Sequence, residues 1–238
     1  HDGNYSVVVS NDFGKVESGL VELKVKNLTL MNGLVAWWKF DEINDTTAYD
    51  SSGNGNDGNL TNGPTWTTGK IGAALSFDGV NDYVSIPNIQ SSFVNDATLS
   101  AWVKIITAKG SQKNKWRGGL MHFGTGSNLH YKHDNGLMYM NIFRDNSRVN
   151  TISTDADIFS WHNLAITSKV GADWKMYIDS VLIKEVAATA LGLPTNCFIG
   201  KSLGGSGTYW LHGLIDDLRI YDRVLSAAEV QALYNLGQ

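Results

Sequence analysis

The stretch GLIDDLRIYDRVLS, at residues 213–226, decides the fold of this chain. Its first part predicts a long strand over Gly213–Tyr221, and its last residue begins a helix. Ser226 and Glu229 form a capping box, in which the serine side chain accepts a hydrogen bond from the Glu229 backbone and the glutamate reaches back to the cap. Three apolar residues follow at helical spacing: Val230, Leu233 and Tyr234. The chain is therefore predicted to end with a strand and one short helix.

Upstream of this stretch, short alternating apolar runs are separated by clusters of Gly, Asn, Asp and Ser. The 238 residues include 25 Gly but only 3 Pro, and aromatic residues make up 11%. This pattern is typical of an all-β sandwich or barrel. Further strands are predicted over Leu34–Phe40, Ala73–Phe77, Tyr83–Ile86, Thr98–Lys104, Gly119–His122, Gly136–Phe143, Val149–Ile152, His162–Lys169, Trp174–Ile178, Val181–Val186 and Cys197–Ile199.

Composition and charge exclude several classes of function. Hydrophobic residues make up 42% and charged residues 18%, which indicates a globular chain. The formal net charge of −4 argues against a nucleic-acid-binding protein, which usually carries a basic excess. No apolar run approaches the ~18 residues of a membrane span. The single cysteine, Cys197, lies in an apolar run and is predicted to be a small buried hydrophobe.

The first 26 residues are predicted to be two strands joined by a turn. The motif Asp2-x-Gly-x-Tyr5 resembles the corner that precedes strand F of an immunoglobulin-type domain, with Val7 at the position of the second cysteine. Two strands cannot stand alone in water. We therefore predict that residues 1–32 are the C-terminal remnant of an immunoglobulin-like domain plus a linker, and that residues 33–238 form a second domain.

Several stretches of the second domain carry a family resemblance. In chain order they are LVAWWKFDE at 34–42, DSSGNGNDG at 50–58, GKIGAALSFDG at 69–79, LSAWVK at 99–104, WHNLA at 161–165 and YID at 177–179. Together with residues 213–226 they resemble a laminin-G-like domain of the concanavalin A-like jelly-roll superfamily, in its bacterial form. The resemblance covers the whole of the second domain.

This resemblance implies an all-β fold, a two-sheet antiparallel jelly-roll sandwich with one short C-terminal helix. It also implies a binding or adhesion module of an extracellular protein, secreted or on the cell surface, often with a structural calcium ion. Two features depart from the family pattern. The hairpin residues Asp179-Ser180 stand where the family usually has Asp-Gly, and residues 109–150 carry no family motif. We expect specificity to reside in this second region.

A calcium site is predicted where the first and last strands of the sandwich meet. By resemblance to calcium-binding jelly rolls, Asp41 and Asp216 are the carboxylate ligands. The loop around Asn56 and Gly58 would then supply carbonyl oxygens. Hard divalent cations favour such oxygen ligands. The alternative is that Asp50 and Asn56 only stabilise turns, by hydrogen bonding to their own backbone.

A ligand surface is predicted from aromatic and polar residues outside the apolar strand patterns, because sugars stack on aromatic rings. The candidates are Trp116, His130, Tyr131, His133, Trp174, Tyr209 and Trp210. Partial packing of each aromatic ring is the alternative. His130 and His133 do not predict a zinc site, because positions i and i+3 of a strand point to opposite faces and no second pair of ligands accompanies them.

No catalytic residues are predicted. Glycoside hydrolysis needs two carboxyl groups about 5–5.5 Å apart or wider, and no glutamate of the second domain has another close by on the same strand. Asp155 and Asp157 have a suitable spacing but lie in a loop-like stretch without a glutamate acid. His1 resembles the N-terminal copper ligand of polysaccharide monooxygenases, but no supporting motif stands beside it.

The sequence therefore predicts a non-catalytic, calcium-stabilised and monomeric module that binds a polysaccharide or other glycan and targets a larger extracellular protein to it. One alternative is a structural or protein-adhesion spacer without a sugar site. Another is a divergent glycosidase or lyase, which the missing acids disfavour. Exposed side chains at Trp116, Trp174 and Trp210 would favour glycan binding, and buried ones the spacer.

Overall fold

The structure is a computed structural model that describes most of the chain. The described residues are 3–19, 21–23, 30–87, 89, 96–106, 115–123, 127–134, 137–144, 147–154, 159–169, 173–187, 197–204 and 207–238. The elements are β1 (Gly3–Tyr5), β2 (Val8–Asn11), β3 (Gly14–Glu17), β4 (Val21–Leu23), β5 (Leu34–Trp38), β6 (Thr47–Ala48), β7 (Gly58–Thr61), β8 (Thr65–Thr68), β9 (Ala73–Asp78), β10 (Tyr83–Ile86), β11 (Ala97–Ile105), β12 (Lys115–Phe123), β13 (Ser127–Asp134), β14 (Leu137–Arg144), β15 (Ser147–Thr154), β16 (His162–Ser168), β17 (Asp173–Ile178), β18 (Val181–Ala187), β19 (Cys197–Ile199), β20 (Lys201–Gly204), β21 (Gly207–Trp210), β22 (His212–Tyr221) and α1 (Ala227–Asn235).

Two eight-stranded antiparallel sheets form the sandwich. Sheet I has the strand order β15-β14-β13-β12-β19-β10-β7-β6. Sheet II has the order β18-β17-β16-β11-β22-β9-β8, with β5 also paired to β22. The long strand β22 therefore pairs with β11, β9 and β5, which places the stretch at 213–226 in the middle of sheet II. This architecture confirms the predicted all-β, two-sheet antiparallel sandwich with one short C-terminal helix.

One core lies between the two sheets and follows from the alternation of side chains along each strand. In β10, Val84 and Ile86 point into the core and are buried, whereas Tyr83 points the other way and is half-buried. Cys197 of β19 is fully buried in the same core, as predicted. Removal of this apolar surface from water, at about 25 cal/mol per Å², is the main force that holds the sheets together.

Helix α1 covers the outer face of sheet II. Its capping box is confirmed, because Ser226 Oγ accepts from the Glu229 backbone N–H and the Glu229 carboxylate accepts from the Ser226 N–H. The helix packs a second apolar cluster against the sheet: Leu34, Ala165, Tyr177, Tyr221, Leu225, Val230 and Leu233. Trp102 of β11 stacks on Tyr234 with ring centroids 5.6 Å apart. In the described part of the chain, no helix has the length and apolarity needed to cross a membrane.

The β17–β18 hairpin turns at Asp179-Ser180, as predicted. Both residues have positive φ values, 50° and 67°, which is the backbone conformation of a type I′ turn. Asp179 Oδ1 accepts a hydrogen bond from the Asn163 N–H over 2.9 Å, and this bond ties the turn to β16. Side-chain anchoring therefore supports a left-handed turn without the glycine that usually occupies it.

Between residues 33 and 238, six strands lie where the sequence analysis predicts none: β6, β7, β8, β13, β20 and β21. The strand β13 reads SNLHYKHD, and its many polar residues mask the alternation of the two that are buried, Leu129 and Tyr131. Strands β12 to β15 form a consecutive antiparallel meander at one side of sheet I. Most of the region without family motifs is therefore regular sheet rather than loop.

The N-terminal segment forms two pairs of short strands, β1 with β4 and β2 with β3. The side chains of β2 and β3 are exposed, including those of Val8, Val9 and Val16. Phe13, in the turn between these two strands, is 98% exposed. The assignment of residues 1–32 to the remnant of an immunoglobulin-like domain stays a prediction.

Candidate functional site

Three aromatic rings meet on the side of sheet I that faces away from the core: Tyr83, Phe198 and Trp210, here called the aromatic cluster. The rings of Tyr83 and Phe198 meet edge to face with centroids 5.6 Å apart, and the centroids of Tyr83 and Trp210 are 5.9 Å apart. All three side chains are half-buried. Val84 and Ile199, their neighbours in β10 and β19, point into the core, so strand alternation turns Tyr83 and Phe198 outward.

The ammonium group of Lys201 lies among these rings. Its Nζ is 3.9 Å from the centroid of the Tyr83 ring, 4.0 Å from that of Phe198 and 5.4 Å from that of Trp210. These distances are within the range of cation–π attraction. Burial lowers the pKa of Lys201. Among the described residues, no carboxylate forms an ion pair with this ammonium.

Two glycines allow the β20–β21 hairpin to fold onto sheet I. Gly200 has a φ of 80°, which residues with a side chain rarely adopt, and it turns the chain between β19 and β20. Gly119 of β12 lies against the hairpin, and a Cβ atom there would be 2.1 Å from the backbone nitrogen of Ser202. This close approach of the two backbones brings Lys201 and Trp210 to the aromatic cluster.

The ring of His122 lies beside the aromatic cluster, and Ser202 follows Lys201 in β20. His122 is buried, its ring stacks on Phe198 with centroids 5.8 Å apart, and its Nδ1 accepts a hydrogen bond from the Leu203 N–H over 3.4 Å. Ser202 is fully buried, and its hydroxyl has no hydrogen-bond partner within the described ranges. Half-buried aromatic rings with a few polar groups are typical of a small-ligand site.

Two of the predicted ligand residues lie in the core instead, which corrects the sequence prediction for both. Trp174 and Tyr131 are each 2% exposed and pack between the sheets. Trp174 is the second residue of β17, and alternation along this strand turns it inward. Tyr131 packs over Gly118, where a Cβ atom would be 2.3 Å from the tyrosine Cζ. Neither ring is free to stack on a ligand.

The other predicted ligand residues lie on strands near the aromatic cluster. Tyr209 and Trp210 are half-buried in β21, and Trp210 is itself a member of the cluster. The backbone register places Trp116 of β12 opposite His133 of β13, the strand that also carries His130. The side chains of Trp116, His130 and His133 lie outside the described part of the structure, and their role stays a prediction.

Tyr83, Phe198 and Lys201 are candidates that sequence reasoning misses. A signal for Tyr83 exists, because it alternates with Val84 and Ile86 in the predicted strand and must face the other way. No local signal identifies Lys201, because its position over the rings depends on the hairpin folding back onto the sheet.

The two predicted carboxylate ligands, Asp41 and Asp216, bind the same loop between β8 and β9. Asp216 Oδ2 accepts hydrogen bonds from the backbone N–H groups of Lys70 and Ile71, each over 2.7 Å. Asp41 Oδ1 accepts from the N–H of Ala73 over 2.8 Å. The expectation that the first and last strands bring these aspartates to one place is met, because β5 pairs with β22.

Asp216 has the feature that fits a bound cation best. It is fully buried, and its Oδ1 has no hydrogen-bond partner among the described residues. Burial raises the pKa of Asp216 to about 7, and the charges of Asp217 and Asp41 add to the increase. No third His, Cys, Asp or Glu joins the two aspartates in the described part of the chain. A calcium ion here would therefore take its other ligands from backbone carbonyls and water.

Asn56 and Gly58 have structural contacts of their own, and their assignment to the metal site stays a prediction. The N–H and the side-chain amide of Asn56 both donate to Asp50 Oδ2, over 2.9 and 3.2 Å, and its carbonyl accepts from Trp38 Nε1 over 2.9 Å. Gly58 lies in β7, where a Cβ atom would be 2.4 Å from Val84 Cγ1. These hydrogen bonds are the ones that the alternative expects, with Asp50 organising the turns of the loop.

Residues 78–231 match the laminin-G-type family model described as the concanavalin A-like lectin/glucanases superfamily. The chain belongs to this superfamily. The match begins in β9 and extends into α1, so it includes every residue of the aromatic cluster and Asp216. Among curated proteins, none matches the chain.

Solved structures of several binding domains share the fold. The binding domain of paraclostridial mosquitocidal protein 1 has a TM-score of 0.66 at 18% identity, over 87% of this chain and 53% of its own. The receptor-binding domain of botulinum neurotoxin C/D mosaic serotype has a TM-score of 0.64 at 15% identity, over 87% and 52%. The ligand-binding domain of botulinum neurotoxin serotype D, solved with N-acetylneuraminic acid, has a TM-score of 0.65 at 15% identity, over 86% and 51%. This chain spans about half the length of each.

Proposed function

We propose that this chain is a non-catalytic carbohydrate-binding module that targets a larger secreted or cell-surface protein to a glycan. The aromatic cluster of Tyr83, Phe198 and Trp210 is the observation that carries the proposal. Half-buried rings on the outside of a sheet are rigid platforms for the C–H faces of a sugar ring. The nearby Lys201 supplies a hydrogen-bonding group that fixes the orientation of a ligand.

The superfamily and the similar structures support a binding role. All three are binding domains, and one was solved with a sialic acid. A further similar structure is that of botulinum neurotoxin type C, whose cell entry depends on interaction with two ganglioside molecules. Each of these chains is about twice as long as the matched part, so their ligands support the class of function and do not locate a site on this chain.

The glutamates of the sandwich domain have structural partners, which supports a non-catalytic role. Glu229 caps helix α1 and pairs with Arg223 over 2.7 Å, Glu185 pairs with Lys175 over 3.1 Å, and Glu42 accepts from the Tyr49 N–H. These contacts do not provide the paired acid and base that glycoside hydrolysis requires.

We infer in addition that a calcium ion binds between Asp41 and Asp216 and stabilises the fold. The buried Asp216 Oδ1, which has no hydrogen-bond partner in the described part of the chain, supports this proposal. The ion would hold the loop between β8 and β9 against the end of β5. Addition of calcium to EDTA-treated protein should raise the Tm; an unchanged Tm, with no metal found by elemental analysis, would exclude the site.

A structural or protein-adhesion spacer is the second candidate, and the burial of Trp174 favours it. A spacer needs packed rings and no ligand site, and this tryptophan packs in the core. The rings of the aromatic cluster do not follow this pattern, because they remain half-buried on the outside of sheet I.

Native affinity electrophoresis against a panel of plant and algal polysaccharides tests the proposal. We expect retarded migration in at least one gel, and loss of the retardation in Tyr83→Ala and Trp210→Ala. The matched control is Phe13→Ala, which removes an exposed ring from the N-terminal hairpin and should bind like the unmodified protein. Each gel is run with calcium and with EDTA, and a thermal melt verifies that each variant is folded.

Two results would overturn glycan binding. Normal migration of the unmodified protein in every gel would favour the spacer. Retardation that survives both substitutions in folded protein would place the sugar site away from the aromatic cluster.

A further inference from the structure

We propose that the aromatic cluster selects acidic glycans, with Lys201 forming an ion pair with a carboxylate or sulfate group of the sugar. This inference rests on the proposed function and specifies the class of ligand. The juxtaposition that carries it is a half-buried ammonium among three aromatic rings, with no acidic side chain paired to it among the residues that the structure describes.

The first step is the position of the Lys201 ammonium relative to the aromatic rings. Lys201 Nζ lies 3.9 and 4.0 Å from the ring centroids of Tyr83 and Phe198, two of the rings that form the proposed sugar site. A sugar stacked on Trp210 or Tyr83 would therefore have this ammonium within reach of its substituents. The flexible four-carbon stem of lysine allows the ammonium to follow a ligand.

The second step is the missing counter-ion. Two other lysines among the described residues have one: Lys175 pairs with Glu185 over 3.1 Å and Lys15 with Glu17 over 3.6 Å. Lys201 pairs with no carboxylate in the described ranges, although it is more buried than either. Removal of a charge from water without a charged partner is unfavourable. The faces of the aromatic rings offset only part of this unfavourable free energy. An anionic ligand that pairs with the ammonium would offset the rest, and its binding would be strengthened accordingly.

The third step is the sign of the charge that the ligand carries. An ammonium among rings would repel an amino sugar and would gain little from a neutral one. A carboxylate of a uronic or sialic acid and a sulfate ester both present oxygens that accept charge-assisted hydrogen bonds. These two sources share the chemistry that the site requires, and separate arms of the test distinguish them.

The test uses two pairs of polymers that differ in charge on the same sugar backbone. One pair is polygalacturonate and its methyl ester, and the other is carrageenan and its chemically desulfated form. Binding of the full chain is measured by affinity electrophoresis and by isothermal titration. We expect at least about tenfold tighter binding to the acidic member of one pair, as a charge-assisted hydrogen bond provides, and weaker binding as salt is raised.

Substitutions connect this preference to Lys201. Lys201→Gln should bind both members of the pair alike, whereas Lys201→Arg keeps the charge and should keep the preference. The matched control is Lys39→Gln, because Lys39 lies over the ring of Trp37 at 4.5 Å, on the other sheet. This variant should retain both the affinity and the preference.

The outcomes separate this inference from the proposed function. Equal binding of acidic and neutral polymers by the unmodified protein, or a preference that survives in folded Lys201→Gln, overturns the inference and leaves glycan binding in place. No binding to any glycan overturns both.

Discussion

The thiol of Cys197 shows how burial determines the chemistry of a single residue. Its side chain is fully buried, and burial raises the pKa of the thiol. The thiolate is the reactive form, so we expect no reaction with Ellman's reagent in native protein and one equivalent after unfolding in guanidinium chloride. Rapid reaction of the native protein would show that β19 opens readily and would contradict the core assignment.

Asp216 is the single residue on which the calcium proposal depends most. Asp216→Asn keeps an oxygen for the N–H groups of Lys70 and Ile71 but removes the charge. We expect this variant to lose the increase in Tm that calcium produces in the unmodified protein. Asp173→Asn, at an exposed strand end, is the matched control and should respond to calcium normally. An equal calcium response in both variants would contradict the proposal.

Among elements, the β20–β21 hairpin is held in place by Gly119. A Cβ atom there would be 2.1 Å from one backbone atom of the hairpin, the Ser202 nitrogen, and this neighbour has no flexible end that could move aside. Gly119→Ala should therefore lower the Tm and abolish glycan binding by displacing Lys201 and Trp210. Gly19→Ala, where nothing lies within 4 Å of the new atom, should change neither. Unchanged binding by Gly119→Ala would show that the position of the hairpin is not needed for glycan binding.

The cap of helix α1 should make stability depend on pH. Hydrogen bonding to Arg223 lowers the pKa of Glu229 to about 2. Because the folded pKa is lower than the unfolded one, the stabilisation is complete above about pH 4.5 and is lost as the pH falls from there toward 2. Urea unfolding should show that Glu229→Gln costs about 0.5–2 kcal/mol at pH 7 and less at pH 3. An equal cost at both pH values would contradict this role.

Elements with strong periodicity could be predicted, and those with weak periodicity could not. The strand over Tyr83–Ile86 and the helix after Ser226 have the predicted boundaries within a residue, because the alternation and the capping residues are local signals. Strand β13 and the β20–β21 hairpin were not predictable in this way. Their residues are polar or flank glycines, and they adopt strand conformation because neighbouring strands supply hydrogen-bond partners.

At the scale of the whole molecule, the assignment of residues 1–32 and 33–238 to two domains stays a prediction. Strand β1 pairs with β4 and β2 with β3, all within the N-terminal segment. We expect deletion of residues 1–29 to leave the Tm of the sandwich unchanged, as measured by calorimetry. A large decrease in Tm would show that the segment packs on the sandwich and would contradict the two-domain assignment.

The sequence by itself determined the superfamily, the two-sheet antiparallel sandwich, the capped terminal helix and the burial of Cys197. These follow from patterns within a few residues of one another, which report directly on local backbone and on the face that each strand buries. The tertiary structure alone decided which polar and aromatic residues meet. It buried Trp174 and Tyr131, tied Asn56 to Asp50, and brought Lys201 to Tyr83 and Phe198. Such encounters depend on how a hairpin folds across a sheet, and no local pattern encodes that distance.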